Sequence, residues 1–543
     1  MYYILKSGSG RKLLNQKYPE YKKLQKVQEC PPLADGTPGE SASGGYVNAY
    51  RGFESLPFRQ SIQNFCQRQP DFSFPHFLSN KFPSFIILEL YFRLKNYTVD
   101  KIKEHIRETF KLAYPVIIGQ LGFIMMGVVD SIMVGEIGAV PLGGASLGNS
   151  IFFLIFIIGL GVAMSVTPLV AILVGAQRFS ECGIYFRQSL IVNMVLGLIL
   201  MTIIIFFSDL FEILNQPPEV AVQASSYTKI IALSILPAMV FYTYKQFIEG
   251  FSIMKPAMII AIAANLINAF TNWVFIYGNL GMPALGLDGA GWATFSSRIF
   301  MALAIAFYVM NKDYFKKYDV NFHFRNINIP VIKKILSVGL PGGFQYFFEV
   351  GAFTFAVMMI GWLGTNQLAA HQIAINLASI SFMAVLGISA AGAIRVGNAV
   401  GKREITEVRR AGFTAIVSGA SVMFASGIIF ITFNNFLPSL YINDPEVINI
   451  ASSLLIIAAL FQVSDGTQGV GIGVLRGLTD VKIPTLITFI AYWLFALPLG
   501  YLLGFTFEYG VEGVWVGLLI GLTASGIMLT IRFNIKSKHL VEF

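Results

Sequence analysis

Residues 335–363, ILSVGLPGGFQYFFEVGAFTFAVMMIGWL, are apolar almost throughout yet carry one carboxylate, Glu349, near the midpoint. Crossing the hydrocarbon core of a bilayer takes roughly 20 apolar residues in a helix, so this run is long enough to span. A charge at the centre of such a helix costs about 2.5 to 3.5 kcal/mol on insertion scales. Glu349 is therefore expected to face protein or a wet cavity. Asp130, within the run 112–135, and Asp465, within 447–475, occupy comparable positions. The three acids together cost about 7 to 10 kcal/mol, which purely structural helices have no reason to carry.

Working outward, apolar runs fall at 112–135, 144–172, 188–207, 224–244, 256–277, 289–310, 335–363, 367–394, 411–433, 447–475, 484–504 and 513–532. These predict twelve spans. The chain is 55% hydrophobic and 13% charged, against about 25% charged residues in a soluble protein, and it reads as a polytopic membrane protein. Lys and Arg collect between alternate spans: at 101–111, Arg178 with Arg187, Lys245 with Lys255, 312–334, 395–410, Arg476 with Lys482, and 532–538. The intervening connections carry acids instead, including Asp209, Glu212, Glu219, Asp444, Glu446, Glu508 and Glu512. Cytoplasmic loops accumulate Lys and Arg, so both termini are expected in the cytoplasm.

The net charge of +9 is explained by these topology signals, and nucleic acid is not an expected partner. Cys30, Cys66 and Cys182 show no paired spacing, which argues against a disulfide framework or a thiolate metal site. An enzyme would need converging ligands or a nucleophile with its base. His76, His105, His323 and His539 lie outside the spans, and His371 reads as an interface residue.

At a spacing of 226 residues Pro115 matches Pro341, Gly135 matches Gly361, Gly138 matches Gly364, Gly161 matches Gly387 and Gly175 matches Gly401. The repeat is six spans long, and an even number of spans gives both halves the same orientation. The expected fold is all-α: twelve transmembrane helices in two six-helix lobes related by an axis along the membrane normal. The expected division is an extension at 1–100, disordered or preceding the true start, an N-terminal lobe at 101–310, a cytoplasmic linker at 311–334, a C-terminal lobe at 335–532 and a tail at 533–543. Residues 101–115 read as an amphipathic basic helix lying on the membrane and leading into the first span, and 83–92 as too short to span.

Three stretches carry a family resemblance: LAYPVIIGQLGFIMMGVVDSIMVG around Asp130, GLPGGFQYFFEV ending at Glu349, and FQVSDGTQGVGIGVLRGLTDVKIPTLITFIAYWLFALPLGYLLG with Asp465. Over about residues 105–532 the sequence resembles the multidrug and toxic compound extrusion (MATE) transporters, in particular their NorM-like branch. The resemblance implies secondary active export of cationic amphipathic compounds in exchange for Na⁺ or H⁺, with no other cofactor. A buried carboxylate takes up a proton or pairs with a cation, so one acid can serve ion and drug in turn.

Glu349, Asp465 and Asp130 are the candidate coupling-ion and substrate residues, with Na⁺ placed at Glu349 and Asp465. Gln345 lies one turn before Glu349, and Phe461, Asp465 and Gln468 share a face of the tenth span. Many relatives carry a tyrosine where Phe461 stands. Phe347, Phe348, Phe461 and Tyr492 are candidate substrate contacts. Asn265, Asn268 and Asn272 share a face of the fifth span and are open to two readings, cleft lining or helix-to-helix bonding; the last two resemble polar positions of the family's N-terminal lobe. Arg395 and Arg476 read as anchors at helix ends. A lipid-linked glycan flippase of the same superfamily is the rival reading; its pyrophosphate cargo calls for cations in the cleft, whereas the mid-span charges read as acids. The expected partners are cationic drug-like molecules and membrane lipid, and the expected state is a monomer in the cell (inner) membrane.

Overall fold

In hydrocarbon a helix satisfies every backbone group within its own segment, and each apolar run forms one. The computed structural model describes residues 83–212, 217–318 and 327–540. Among these, twelve helices are long and apolar enough to cross a membrane. Numbered α1 to α12, they run Lys103–Glu136, Ala139–Gly175, Phe179–Ser208, Pro218–Gly250, Lys255–Tyr277, Leu287–Asn311, Ile329–Leu363, Thr365–Gly401, Ile405–Thr432, Pro445–Gly477, Lys482–Thr506 and Gly510–His539. Every predicted run lies within one of them, save that 411–433 passes the end of α9 by one residue. The expectation for residues 1–82 falls outside the described residues, as does 319–326 of the linker.

The sequence punctuates these helices where it should. Gly138 separates α1 from α2 at φ 130° and its repeat mate Gly364 separates α7 from α8 at φ 142°, conformations that favour glycine. Asn328 caps α7 by accepting from the Val331 amide at 3.2 Å, and Asp444 caps α10 by accepting from Glu446 at 2.9 Å. Three spans are irregular inside. α2 breaks between Ala163 and Val166, α4 breaks at Ser234, and α11 contains π-helical turns at Ile490–Ala496 and Leu502–Thr506.

Four expectations change. Residues 101–115 do not form a separate surface helix: they belong to one helix, Pro83–Glu136, that passes through Pro115. His105 and Thr109 are buried there because Arg395 and Glu407 offer polar partners. Lys245 is no loop residue. Helix α4 runs on to Gly250, which puts Lys245 inside the protein, 3.6 Å from the buried Glu249 carboxylate. Arg395 and Arg476 point inward rather than anchoring at the membrane surface. The stretch 533–539 continues α12, with Phe533 fully buried against Gly412 and Arg409 donating to Ser537 at 3.0 Å.

The lobes meet in a pattern the repeat dictates. A Cβ on Gly161 would overlap the backbone of Gly343, and one on Gly387 would overlap Ile117; the 226-residue spacing carries the first pair into the second. Likewise Gly175 abuts Asn398 while Gly401 abuts Ile172. Contacts that exchange partners in this way mark a two-fold axis. Because equivalent helices run in the same direction, the axis lies along the bundle.

These contacts lie towards the end of the bundle that carries the basic connections. There Arg395 of α8 donates to the His105 carbonyl and to Thr109 Oγ1, both at 2.6 Å, and also meets His105 Nδ1. His105 Nε2 lies 3.2 Å from Glu407 of α9. Buried clusters drawn from both lobes, such as Val162, Leu169, Ile335 and Val338, or Val116, Ala171 and Ile394, occupy this half. In the acidic half the buried clusters each belong to one lobe. The lobes are thus closed together at the basic end and separate at the acidic end.

Candidate functional site

In the C-terminal lobe α7, α10 and α11 bring Glu349, Gln468 and Tyr492 together. Tyr492 donates its hydroxyl to Gln468 Oε1 at 2.8 Å, and Gln468 Nε2 donates to Glu349 Oε1 at 3.3 Å. The π-helical turn accounts for the aim of Tyr492: it admits an extra residue per turn, so Tyr492 faces inward while Trp493 donates to the Phe348 carbonyl at 3.0 Å. Asp465 lies three residues before Gln468 on the same face of α10 and within electrostatic reach of Glu349. It is 7% exposed and makes no hydrogen bond among the described residues, yet neither of its oxygens is sealed off. Neither acid has an ion-pair partner among the described residues, although Arg476 acts on Glu349 from further off.

Two expected neighbours do different work. Gln345 does not reach Glu349; its Nε2 donates to Thr488 Oγ1 at 3.2 Å, tying α7 to α11, and its buried Oε1 has no partner. Phe461 lies edge-on to Trp515, with centroids 5.9 Å apart, and Trp515 Nε1 donates to His371 Nδ1 at 3.1 Å. The ring is 4% exposed and belongs to the lobe's core. Phe348 packs on Phe489 at 4.9 Å. Among the described residues no three His, Cys, Asp or Glu side chains group as a metal cage.

The N-terminal lobe holds a second acid cluster. Asn272 of α5 donates to Asp130 Oδ1 at 2.5 Å and to Asn268 Oδ1 at 3.3 Å, while Thr294 of α6 donates to Asp130 Oδ2 at 3.3 Å. Asn268 and Asn272 are fully buried and each leaves one amide atom unpaired. Asn265 stays outside this cluster: it donates to Ala261 of its own helix at 2.9 Å and packs near Gly122.

Sequence reading missed Thr294, the Lys245–Glu249 pair and Arg298, and gave Arg476 the wrong role. Arg298 stands in the middle of α6, so the mid-span charges are not all acidic. Arg476 of α10 crosses between lobes, donating to Tyr346 OH at 3.5 Å and to Met164 Sδ at 3.7 Å. Helical spacing held a signal for Thr294 and Arg298, which lie one turn apart on the face of α6 that meets Asp130.

The family model described as MatE matches residues 115–274 and 341–502, once in each lobe. The chain is 36% identical to "Probable multidrug resistance protein NorM" of Mesorhizobium japonicum, over 79% of this chain and 94% of that one. It is 35% identical to "Multidrug resistance protein MdtK" of Yersinia pseudotuberculosis, over 80% of this chain and 97% of that one. Among solved structures, the outward-facing conformation of a multidrug resistance MATE family transporter superposes with a TM-score of 0.74 at 20% identity, covering 81% of this chain and 97% of that one. A eukaryotic MATE transporter gives 0.73 at 19%, covering 81% and 98%.

Proposed function

The chain belongs to the MATE family of membrane transporters, and on that premise we propose that it exports cationic, amphipathic drug-like compounds from the cell in exchange for Na⁺ or H⁺. It is a transporter, not an enzyme. The observation that carries the proposal is the pairing of Glu349 and Asp465 inside the C-terminal lobe with no ion-pair partner among the described residues. Two carboxylates that share a site away from bulk water repel one another until a proton or cation enters. Each is then a place that ion and cationic drug contest, and a ligand that binds one state better shifts the protein towards it.

Sidedness follows from the basic connections: the closed end faces the cytoplasm and the separated end faces outward. In this state the coupling cation enters from outside onto Glu349 and Asp465 and displaces the drug, with Gln468 and Tyr492 orienting the Glu349 carboxylate. Asp130, nearer the outer mouth, assists release or holds a further proton. Reversal about the two-fold axis then exposes the same acids inward. The test is ethidium efflux from vesicles under an imposed Na⁺ gradient and, separately, an imposed pH gradient. One of them is expected to accelerate efflux and its collapse to stop it; efflux indifferent to both overturns antiport.

A further inference from the structure

We propose that Arg476 is a built-in cation of the C-terminal lobe that weakens the hold of Glu349 on its coupling ion and so lets the ion leave towards the cytoplasm. The inference rests on the antiport reading above and gives a part in it to a residue that the acids alone do not explain.

Arg476 lies in the last turn of α10, at the basic end, and is 6% exposed. Arginine carries five N–H donors and no acceptor, yet this guanidinium finds little to bind. Its Nη1 reaches Tyr346 OH at 3.5 Å and Met164 Sδ at 3.7 Å, and its Nη2 is buried without a partner. It forms no ion pair among the described residues. A buried charge left without a counter-charge is costly, and the carboxyl end of a helix attracts a cation without requiring that it be buried. The carboxylate that the charge of Arg476 does reach is Glu349. Tyr346, over whose ring the guanidinium sits at 5.2 Å, lies on α7 one turn before Glu349 and on the same face. Arg476 therefore stands on the cytoplasmic side of that acid.

The repeat sets this cation apart. A Cβ on Gly250 would meet Val170 and the Thr167 carbonyl, and one on Gly477 would meet Val396 and the Ala393 carbonyl. Those partners are 226 residues apart, so Gly250 and Gly477 are equivalent, and with them Glu249 and Arg476. In the N-terminal lobe the position holds a carboxylate, 3.6 Å from Lys245 one turn earlier. In the C-terminal lobe the counterpart of Lys245 is Ile472, and the charge has no such partner. The unpaired cation thus falls in the lobe that holds both Glu349 and Asp465.

Met164 belongs to the other lobe, at the break in α2. Separation of the lobes at the basic end withdraws it and leaves the guanidinium with Tyr346, on the helix of Glu349. A fixed positive charge beside a carboxylate lowers its affinity for a second cation, here on the side where the coupling ion must be released.

The test follows ethidium efflux from vesicles of purified protein against rising concentrations of the driving ion, Na⁺ or H⁺, and reads the half-saturating concentration and the maximal rate. Arg476→Met keeps the stem on Tyr346 and removes the charge. Its half-saturating concentration is expected to fall about tenfold, as loss of a nearby unit charge within a protein gives, and its maximal rate to fall as well because the ion leaves slowly. Arg476→Gln is expected to do the same and serves if Arg476→Met does not reach the membrane. Arg476→Lys keeps the charge and is expected to restore the wild-type half-saturation. Half-saturation unchanged or raised in the neutral variant that folds, or a lysine variant that behaves like the neutral ones, overturns the inference. A residue that only closes the end of α10 would change the amount of folded protein and not its affinity for the ion. Wild-type vesicles that move ethidium under neither gradient would overturn the export function, and this inference with it.

Discussion

Gln468 can offer Glu349 either its oxygen or its amide nitrogen, and the phenol of Tyr492 removes the choice by occupying the oxygen. Tyr492→Phe deletes a bond worth about 0.5 to 1.5 kcal/mol and frees the amide to turn. The half-saturating coupling-ion concentration for drug efflux is expected to rise several-fold; an unchanged value would take the phenol out of the site. Glu349→Gln and Asp465→Asn keep side-chain shape and lose charge, so each is expected to abolish gradient-driven efflux at normal protein levels. Wild-type efflux rates in both would dissolve the proposed coupling site. The acids were legible in the sequence because a charge inside an apolar run is conspicuous. Arg298, a charge inside the run 289–310, met the same test and was passed over, whereas Thr294 did not stand out. Their value depends on which helix α6 meets, and spacing along one helix gives the face without the neighbour. Gln345 shows the same limit: it shares a face with Glu349 yet bonds to Thr488 on α11.

Between elements, the basic end is held by glycine contacts and by Arg395, which ties α8 to α1. Ala171 of α2 is fully buried at this junction, so the single cysteine of Ala171→Cys is expected to react slowly with an impermeant maleimide applied from the basic side. Adding Arg395→Ala should raise that rate several-fold, since the bond it removes spans the lobes; an unchanged rate means that the junction does not depend on Arg395. Gly401→Val places side-chain atoms on the Ile172 carbonyl, which a packed interface does not absorb. It is expected to leave the basic end accessible and efflux lost, while wild-type efflux would show that the two glycines need not meet. The twelve helices and their repeat were readable from hydropathy and from glycine and proline spacing. Their ends were less so: Lys245 and Arg395 look like loop markers until the helices are seen to run several residues further.

Across the whole molecule, the 226-residue repeat, the exchanged contacts and the two MatE matches describe one two-fold arrangement of lobes. The acids break that symmetry, since Asp130 corresponds to Ala356 and Glu349 to Phe123, and unequal work is expected of the two lobes. Tags at Lys317 and at the C-terminus are expected on the cytoplasmic side and one at 217–218 outside; labelling of Lys317 by an impermeant reagent in intact cells would reverse the orientation. If drug and ion exchange through shared carboxylates, the protein can be driven backwards. Vesicles holding purified protein receive an ethidium gradient and no ion gradient, and the movement of ²²Na⁺ and of protons is followed. One of the two ions is expected to move uphill, opposite to ethidium, and Glu349→Gln to stop it. Ethidium running down its gradient with no ion moving against it would rule out exchange at Glu349 and Asp465.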